Sequence, residues 1–232
     1  MTNSHFVNAH GLDNPEHYTT ARDLALLSRA IVKTKDYPLH KEKDFTYNGI
    51  TQQNRNGLLM TDSTVDGLKT GHTSAAGYCL VASALRDNTR LISVVLGAAS
   101  IKEREAQSSA LLNYGFRFFQ SVHLYDANAI LDTPRVWKST VNSINVVPAR
   151  DVSLMLARNV AGNLTHTVTI DSPLMAPITA GQKVSEIVVK NGDTVIETID
   201  AVAQTEAPRS GFFGSLWDSI VLLFSKLFGL KI

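Results

Sequence analysis

Cysteine is almost missing from this chain. The single residue, Cys79, cannot close an internal disulfide, and no Cys/His cluster offers the four closely spaced ligands of a structural zinc site. A disulfide scaffold is excluded, and no metal site is expected. Excess charge of one sign is missing too: 22 Lys+Arg against 21 Asp+Glu leave a formal net charge of +1 over 232 residues. Phosphate backbones are held by clustered surplus cations, so nucleic acid is not an expected partner. Internal repeats and low-complexity tracts are absent. The N-terminus MTNSHFVNAHGLDNPEHYTT has no basic region, apolar core or small-residue cleavage site, so it does not read as a secretory signal. What remains is the composition of packed protein, 44% hydrophobic and 19% charged, too apolar for disorder. The length allows one large domain or two smaller ones.

Local patterns divide the chain. Thr20 followed by Asp23 reads as a capping box, opening a helix with Leu24, Leu27 and Ile31 on one stripe. The stretch from Tyr37 to Asn56 is polar and carries an Asn48-Gly49 turn signal. Strand-like runs follow at Val65 to Lys69, Tyr78 to Leu85 and Leu91 to Leu96, with Asp87-Asn88 as the turn between the last two. An antiparallel meander is predicted. Lys102 to Phe119 has helical spacing through Ala106, Leu111, Leu112 and Phe116 and is expected to pack on it, with helices on one face of the sheet. Beyond a composition shift near Ser121 to Pro134 come short β-branched runs: Val146-Val147, Val152 to Leu156, Thr165 to Ile170, and Ile187 to Ile199 folded at Asn191-Gly192. Short strands at close spacing read as a small β-sandwich. The expected architecture is therefore an α+β part over 1–120, a β-rich part over 121–208 and a tail over 209–232.

The tail is distinctive. Phe212 to Leu230 holds twelve apolar residues and seven polar or glycine ones. At ~100° per residue the seven (Gly214, Ser215, Asp218, Ser219, Ser225, Lys226 and Gly229) fall within an arc of ~140°, which only Leu222 invades. Phe212, Phe213, Leu216, Trp217, Ile220, Leu223, Phe224, Leu227 and Phe228 make the opposite face. A core helix, a membrane span and an in-plane interfacial helix all compete for this segment. In a span, Asp218 would cost on the order of 3 kcal/mol. Sorting of the polar residues and the aromatic content favour the interfacial helix, a membrane anchor that relies on apolar burial because Lys226 and Lys231 are its only cations.

The chemistry points to VDGLKTGHTSAAGY, with Lys69-Thr70-Gly71 closing a short strand. A bare Lys-Thr-Gly arises by chance in about one chain in twenty of this length, so the tripeptide alone says little. Its mechanical content is a strand that presents a cation, a hydroxyl and a backbone N–H to an acyl substrate. A glycine there lets a substrate backbone lie close.

Together with His10-Gly11-Leu12-Asp13, the Thr51 to Leu59 run, Arg104-Glu105-Ala106 and Tyr114-Gly115-Phe116-Arg117, this segment resembles the low-molecular-mass penicillin-binding proteins. These are the D-alanyl-D-alanine carboxypeptidases of bacterial peptidoglycan. The resemblance runs through nearly the whole chain. It implies part of a penicillin-binding, β-lactamase-like transpeptidase domain, then a β-rich domain and an amphipathic anchor. It implies that Lys69 supplies positive potential beside the nucleophile and that Thr70 bonds the substrate's terminal carboxylate. Arg104 would pair with that carboxylate, since a guanidinium fork matches its geometry. The backbone N–H of His72 would form half of an oxyanion hole, while the His72 ring has no assigned role. Implied partners are the peptidoglycan stem peptide, β-lactam antibiotics and a membrane surface. The implied location is the periplasmic face of the cytoplasmic membrane, and no cofactor is implied.

Two family motifs are absent. No serine stands three residues before any lysine, and the one Ser-x-Asn, Ser143-Ile144-Asn145, lies in the β-rich part. The expectation is the C-terminal portion of a carboxypeptidase, inactive alone. Glu103, beside Arg104, is expected to compete for its guanidinium. A non-catalytic, membrane-associated interaction module is the alternative. A β-lactamase is disfavoured, since a soluble hydrolase has no use for the β-rich part and the tail.

Overall fold

The structure, a computed structural model, describes residues 1–170 and 173–228. The chain divides into two compact units, 1–120 and 121–232.

The first unit is built on the meander. Helix α1 (Ala21–Ile31) starts at Thr20, whose hydroxyl accepts the Asp23 N–H at 3.1 Å. The reciprocal half of the capping box does not form. The Asp23 carboxylate instead accepts from the Ser4 hydroxyl at 2.7 Å and the Asn3 N–H at 2.9 Å, and the Ser4 bond holds its carboxyl below the usual range. A single 3-10 segment, Tyr37–Lys41, follows. Strands β1 (Asp44–Tyr47) and β2 (Ile50–Gln53) then form an exposed hairpin around Asn48-Gly49, both at positive φ. After a short α2 (Leu58–Thr61), β3 (Val65–Thr73), β4 (Gly77–Arg86) and β5 (Thr89–Ala98) pair antiparallel in that order. Asp87 and Asn88, at φ 45° and 60°, make the tight turn that their residue types signal. Helix α3 (Ile101–Phe118) is capped by the Ser100 hydroxyl.

Helices cover both faces of this sheet, not one. Leu58, Leu59, Val65, Leu80, Ala82, Ala84 and Leu112 form a cluster on the α3 side. Tyr37, Leu68 and Val81 form a second, against which Leu24, Ile31, Val32, Ile92 and Val94 pack. Alternate residues of β4 and β5 serve opposite faces, as pleating dictates. The two alternations are both apolar because both faces are covered, so the sequence pattern carried no sign of which side the helices took. α3 also turns differently from expectation: Leu111 is exposed, and the buried stripe is Arg104, Ser108 and Leu112.

Arg90 ties the second cluster together. It reaches Asp66 with two bonds, at 2.7 and 2.8 Å, and also the Ser83 hydroxyl. Tyr37 donates to the same carboxylate. Burial pushes Asp66 up, but the Arg90 and Tyr37 bonds outweigh it and hold the carboxyl below its usual range. Burial, with the bond to Asp66, pushes the Tyr37 phenol up to about 12. Between pH 10 and 12 the folded chain keeps a proton that the unfolded chain releases, so stability falls across that window. Urea unfolding by far-ultraviolet circular dichroism is expected to lose on the order of 2 kcal/mol there, and most of that loss should vanish in Tyr37→Phe.

The second unit is the expected small β-sandwich. Strands β6 (Phe119–Tyr125), β7 (Val136–Trp137), β8 (Val146–Pro148) and β9 (Val152–Ala157) precede a short α4 (Arg158–Ala161). Then come β10 (Leu164–Ile170), β11 (Leu174–Met175), β12 (Lys183–Asn191) and β13 (Thr194–Ala203). One sheet has the order β10-β12-β13-β8, with β6 paired to β9 and β7 parallel to β11. Their inner faces share one core that includes Val146, Val152, Leu154, Ile187, Val189 and Ile199. Ile144, within the Ser-Ile-Asn triplet, is buried in it. The last described element is α5 (Phe212–Phe228), and the tail residues Gly229, Leu230 and Lys231 lie outside the described residues.

Candidate functional site

β3 is an edge strand of its sheet, so one side of its backbone is unpaired among the described residues. Lys69 to His72 lie at its end, in register with Val81 to Tyr78 of β4. Lys69 is exposed, and its ammonium touches only the Thr70 carbonyl; among the described residues no carboxylate neutralises it. The half-buried Thr70 hydroxyl has no partner among the described residues. Gly71 needs no unusual φ, and a Cβ placed on it meets nothing nearer than the Cys79 Cβ at 3.9 Å. The fold therefore does not demand a glycine there. Gly77, by contrast, sits at φ 65° with the Gly97 Cα only 3.0 Å from where its Cβ would be.

The His72 ring is exposed and lies flat on Tyr78, 3.8 Å between centroids and 8° between planes. Its Nδ1 is 3.1 Å from the Gly77 carbonyl, which can only accept, so Nδ1 carries the proton in this contact. The ring braces the turn between β3 and β4 and leaves the backbone of the strand to face outward.

Arg104 reaches the strand from α3 but differs from an open fork. It is 3% exposed. Its Nη1 donates to the carbonyls of Gly71 at 3.3 Å and Cys79 at 3.4 Å, and its Nη2 to that of Arg55 at 3.0 Å. Nε is buried without a partner. The guanidinium thus joins β3, β4 and the 54–57 loop through their backbones. Glu103 does not compete for it: its oxygens accept from Ala99 N–H and Gln107. A residue one turn-step along the helix is too far round to share a partner.

The same loop is held by residues that no sequence motif singled out. Asn56, fully buried, donates to the Gly67 carbonyl at 3.0 Å and accepts from Leu58 N–H at 3.3 Å. Glu105 accepts the Gly57 N–H at 3.0 Å, so close that a Cβ on Gly57 would overlap the carboxylate. Arg55 between them is exposed, and its side chain has no acid partner among the described residues. The signal was present in the Arg-Asn-Gly run, but an Asn and a Gly in a polar stretch read equally well as a solvent turn. Among the described residues no group of His, Cys, Asp and Glu could hold a metal ion.

In the tail, Phe212, Phe213, Leu216, Trp217, Ile220, Phe224, Leu227 and Phe228 are all exposed on α5. Ser215, Asp218, Ser219 and Leu222 are partly covered and Ser225 is buried. Leu222, the intruder on the polar arc, belongs to the covered side. No described helix is long and apolar enough to cross a membrane.

Comparison with known proteins adds to this geometry. Residues 1–100 match the family described as D-alanyl-D-alanine carboxypeptidase, and residues 119–209 match that described as penicillin-binding protein 5, C-terminal domain. The D-alanyl-D-alanine carboxypeptidases DacC and DacA of Escherichia coli K12 are 41% and 40% identical, each alignment covering 99% of this chain and 58% of the relative. The chain thus spans under two thirds of the length of these curated relatives. The crystal structure of penicillin-binding protein 5 from Haemophilus influenzae superposes with a TM-score of 0.82 at 36% identity, over 89% of this chain and 61% of that one. Penicillin-binding protein 6B from Escherichia coli gives 0.61 at 36% identity, over 82% and 52%.

Proposed function

Because the chain belongs to the D-alanyl-D-alanine carboxypeptidase family of penicillin-binding proteins, we propose that its first unit is the substrate-binding wall of a serine peptidase that removes terminal D-alanine from peptidoglycan stem peptides. One observation carries the reading: an edge strand that ends in a cation and a hydroxyl without a side-chain partner among the described residues, and in a glycine the fold does not need. Such a strand can take a peptide alongside it through backbone bonds. Gly71 then serves the incoming chain, whose backbone would meet a side chain there.

Lys69 lowers the energy of negative charge at the reacting centre. Thr70 bonds the terminal carboxylate, and the exposed Arg55 guanidinium complements it. Arg104 contributes by holding the strand in place. The His72 N–H stabilises the tetrahedral oxyanion, a donor worth about 3–4 kcal/mol when lost. Serine attack on the peptide carbonyl forms an acyl-enzyme, the D-alanine leaves with the proton, and water releases the acyl group. The sequence has no Ser-x-x-Lys, so the nucleophile comes from residues outside 1–232, and this polypeptide alone is inactive. β-Lactams would acylate the same serine.

For the second unit, the outward apolar face of α5 favours peripheral attachment to a bilayer, on the periplasmic side where peptidoglycan lies. That face suits a non-catalytic membrane module as well, but such a module has no need of the Lys69–His72 strand.

The test joins residues 1–232 behind the N-terminal two fifths of DacC and adds fluorescent penicillin. A covalent band on the joined chain and none on 1–232 alone is expected. Lys69→Ala should slow labelling about 10²–10³-fold, and Gly71→Val should abolish it while leaving the fold intact. A folded, unlabelled joined chain would sink the reading.

A further inference from the structure

Asp218 is an acid that a helix lying on lipid has little reason to carry. Its carboxylate is not left in water: the side chain is 15% exposed. Oδ2 accepts the backbone N–H of Lys138 at 2.6 Å, and Oδ1 is 3.3 Å from Arg135 Nη2. Both partners are themselves fixed. Arg135 lies 3.8 Å over the ring of Trp137, which is almost fully buried. Lys138 stands just beyond β7 at φ 57°, the left-handed region, where its N–H and C=O leave the line of the strand. Its carbonyl accepts the Ser210 N–H at 2.8 Å, and the Pro208 carbonyl accepts from Thr140 N–H and the Ser139 hydroxyl, both at 3.0 Å. Residues 135–140 therefore grip the chain on both sides of the start of α5.

The rest of the polar side makes no comparable contact. Ser219 and Ser225 bond carbonyls of their own helix, and Ser215 bonds Ser210 just ahead of it. Among the described residues, Asp218 is the one polar side chain of α5 that leaves the helix to meet the β-sandwich. A short bond from a backbone N–H to a carboxylate is among the stronger hydrogen bonds available. It also acts on a helix whose other side has nine large apolar residues facing outward.

We propose that Asp218 is the pin that fixes α5 to the second unit by its polar side, so that the unit meets a lipid bilayer in one set attitude. Without the pin the helix would still bind lipid, but on a loose tether at 209–211. The inference rests on the reading that α5 lies on a bilayer, and its test separates the two.

The full chain and an Asp218→Ala variant are digested with trypsin, and release of the peptide beginning at Ser210 is followed by mass spectrometry. Cleavage after Arg209 requires the backbone held by Ser139 and Lys138 to come free. Asp218→Ala is expected to speed it about 10-fold, and Asp218→Asn, which keeps an oxygen for the Lys138 N–H, to fall between. Ser219→Ala, on the same side of the helix, should leave it unchanged. In parallel, both chains carry Trp217→Phe, which leaves Trp137 as the one tryptophan. They are bound to phosphatidylethanolamine/phosphatidylglycerol vesicles containing a dansyl-labelled lipid. Energy transfer from Trp137 should fall by at least half in Asp218→Ala, with vesicle affinity changed less than 3-fold. Equal cleavage and equal transfer in parent and variant would overturn the pin, as would equal acceleration by Ser219→Ala. If Asp218→Ala speeds cleavage while neither chain binds vesicles, the pin stands and the bilayer reading falls.

Discussion

Replacing Arg104 by methionine is expected to cost the first unit about 3–4 kcal/mol. Methionine keeps the apolar stem and removes every donor. The carbonyls of Gly71, Cys79 and Arg55 each lose a bond to a residue that is only 3% exposed. An acceptor left bare in such a site costs roughly 1–3 kcal/mol, far more than the net gain of making the bond in the first place. Relief of the buried charge offsets part of this, since among the described residues Arg104 has no carboxylate partner and its Nε no acceptor. Arg104→Lys should lose nearly as much, because a point ammonium cannot reach three carbonyls with a planar fork. Both tryptophans, Trp137 and Trp217, are in the second unit, so fluorescence would miss the effect. Hydrogen exchange of peptides covering β3 and β4 reads it directly. The size of the loss also decides the residue's role: a guanidinium free to take a carboxylate would cost less than about 0.5 kcal/mol on removal, as surface changes do.

The contacts of Arg104 with the backbone were the part of the site least visible in the amino-acid sequence. The strand itself, the turn at Asp87-Asn88 and the hairpin at Asn191-Gly192 were readable because each depends on a local rule: residue types that tolerate positive φ, set between alternating apolar runs. The inner side of α3 depends on no such rule. Leu111 and Ala106 fit a helical stripe, yet the buried side is Arg104, Ser108 and Leu112, continued by Gly115. A Cβ on Gly115 would stand 2.5 Å from Leu91 Cδ1, so the helix lies too close to the sheet for larger side chains there. Close approach selects small residues, and a search for large apolar ones looks past them. It also brings Arg104 within reach of backbone carbonyls, which no motif announces. β7 and β11 leave no such trace for another reason: two residues each give no alternation to read, and their parallel pairing joins Val136 to Leu174, far apart in the sequence. In the tail, hydrophobic sorting separates two sides of the helix but carries no sign that the polar one is partly covered by protein.

The largest change in membrane affinity is expected from removing three rings of α5 together. Phe213, Trp217 and Phe224 are 84, 67 and 53% exposed, and all lie on the uncovered side. A large aromatic ring buries 150–250 Å² when fully enclosed. With about half of that removed from water at ~25 cal/mol per Å², each ring contributes about 2 kcal/mol at a bilayer surface. Discounted for incomplete burial and for overlap between neighbours, Phe213→Ser, Trp217→Ser and Phe224→Ser in one chain should weaken vesicle binding about 10³-fold. Sedimentation with phosphatidylethanolamine/phosphatidylglycerol vesicles measures it. The helix cannot compensate by charge, because Lys226 is its one cation among the described residues and Asp218 is engaged by the β-sandwich. Binding should therefore shift less than 3-fold between low salt and 0.3 M, where screening would remove most of an electrostatic attraction. A span would behave otherwise, since a helix that crosses the ~30 Å hydrocarbon layer is held on both sides of it. High-pH carbonate should accordingly strip the parent chain from the vesicles, as it would not strip a crossing helix. Unchanged binding of the triple variant would mean that this face meets protein rather than lipid.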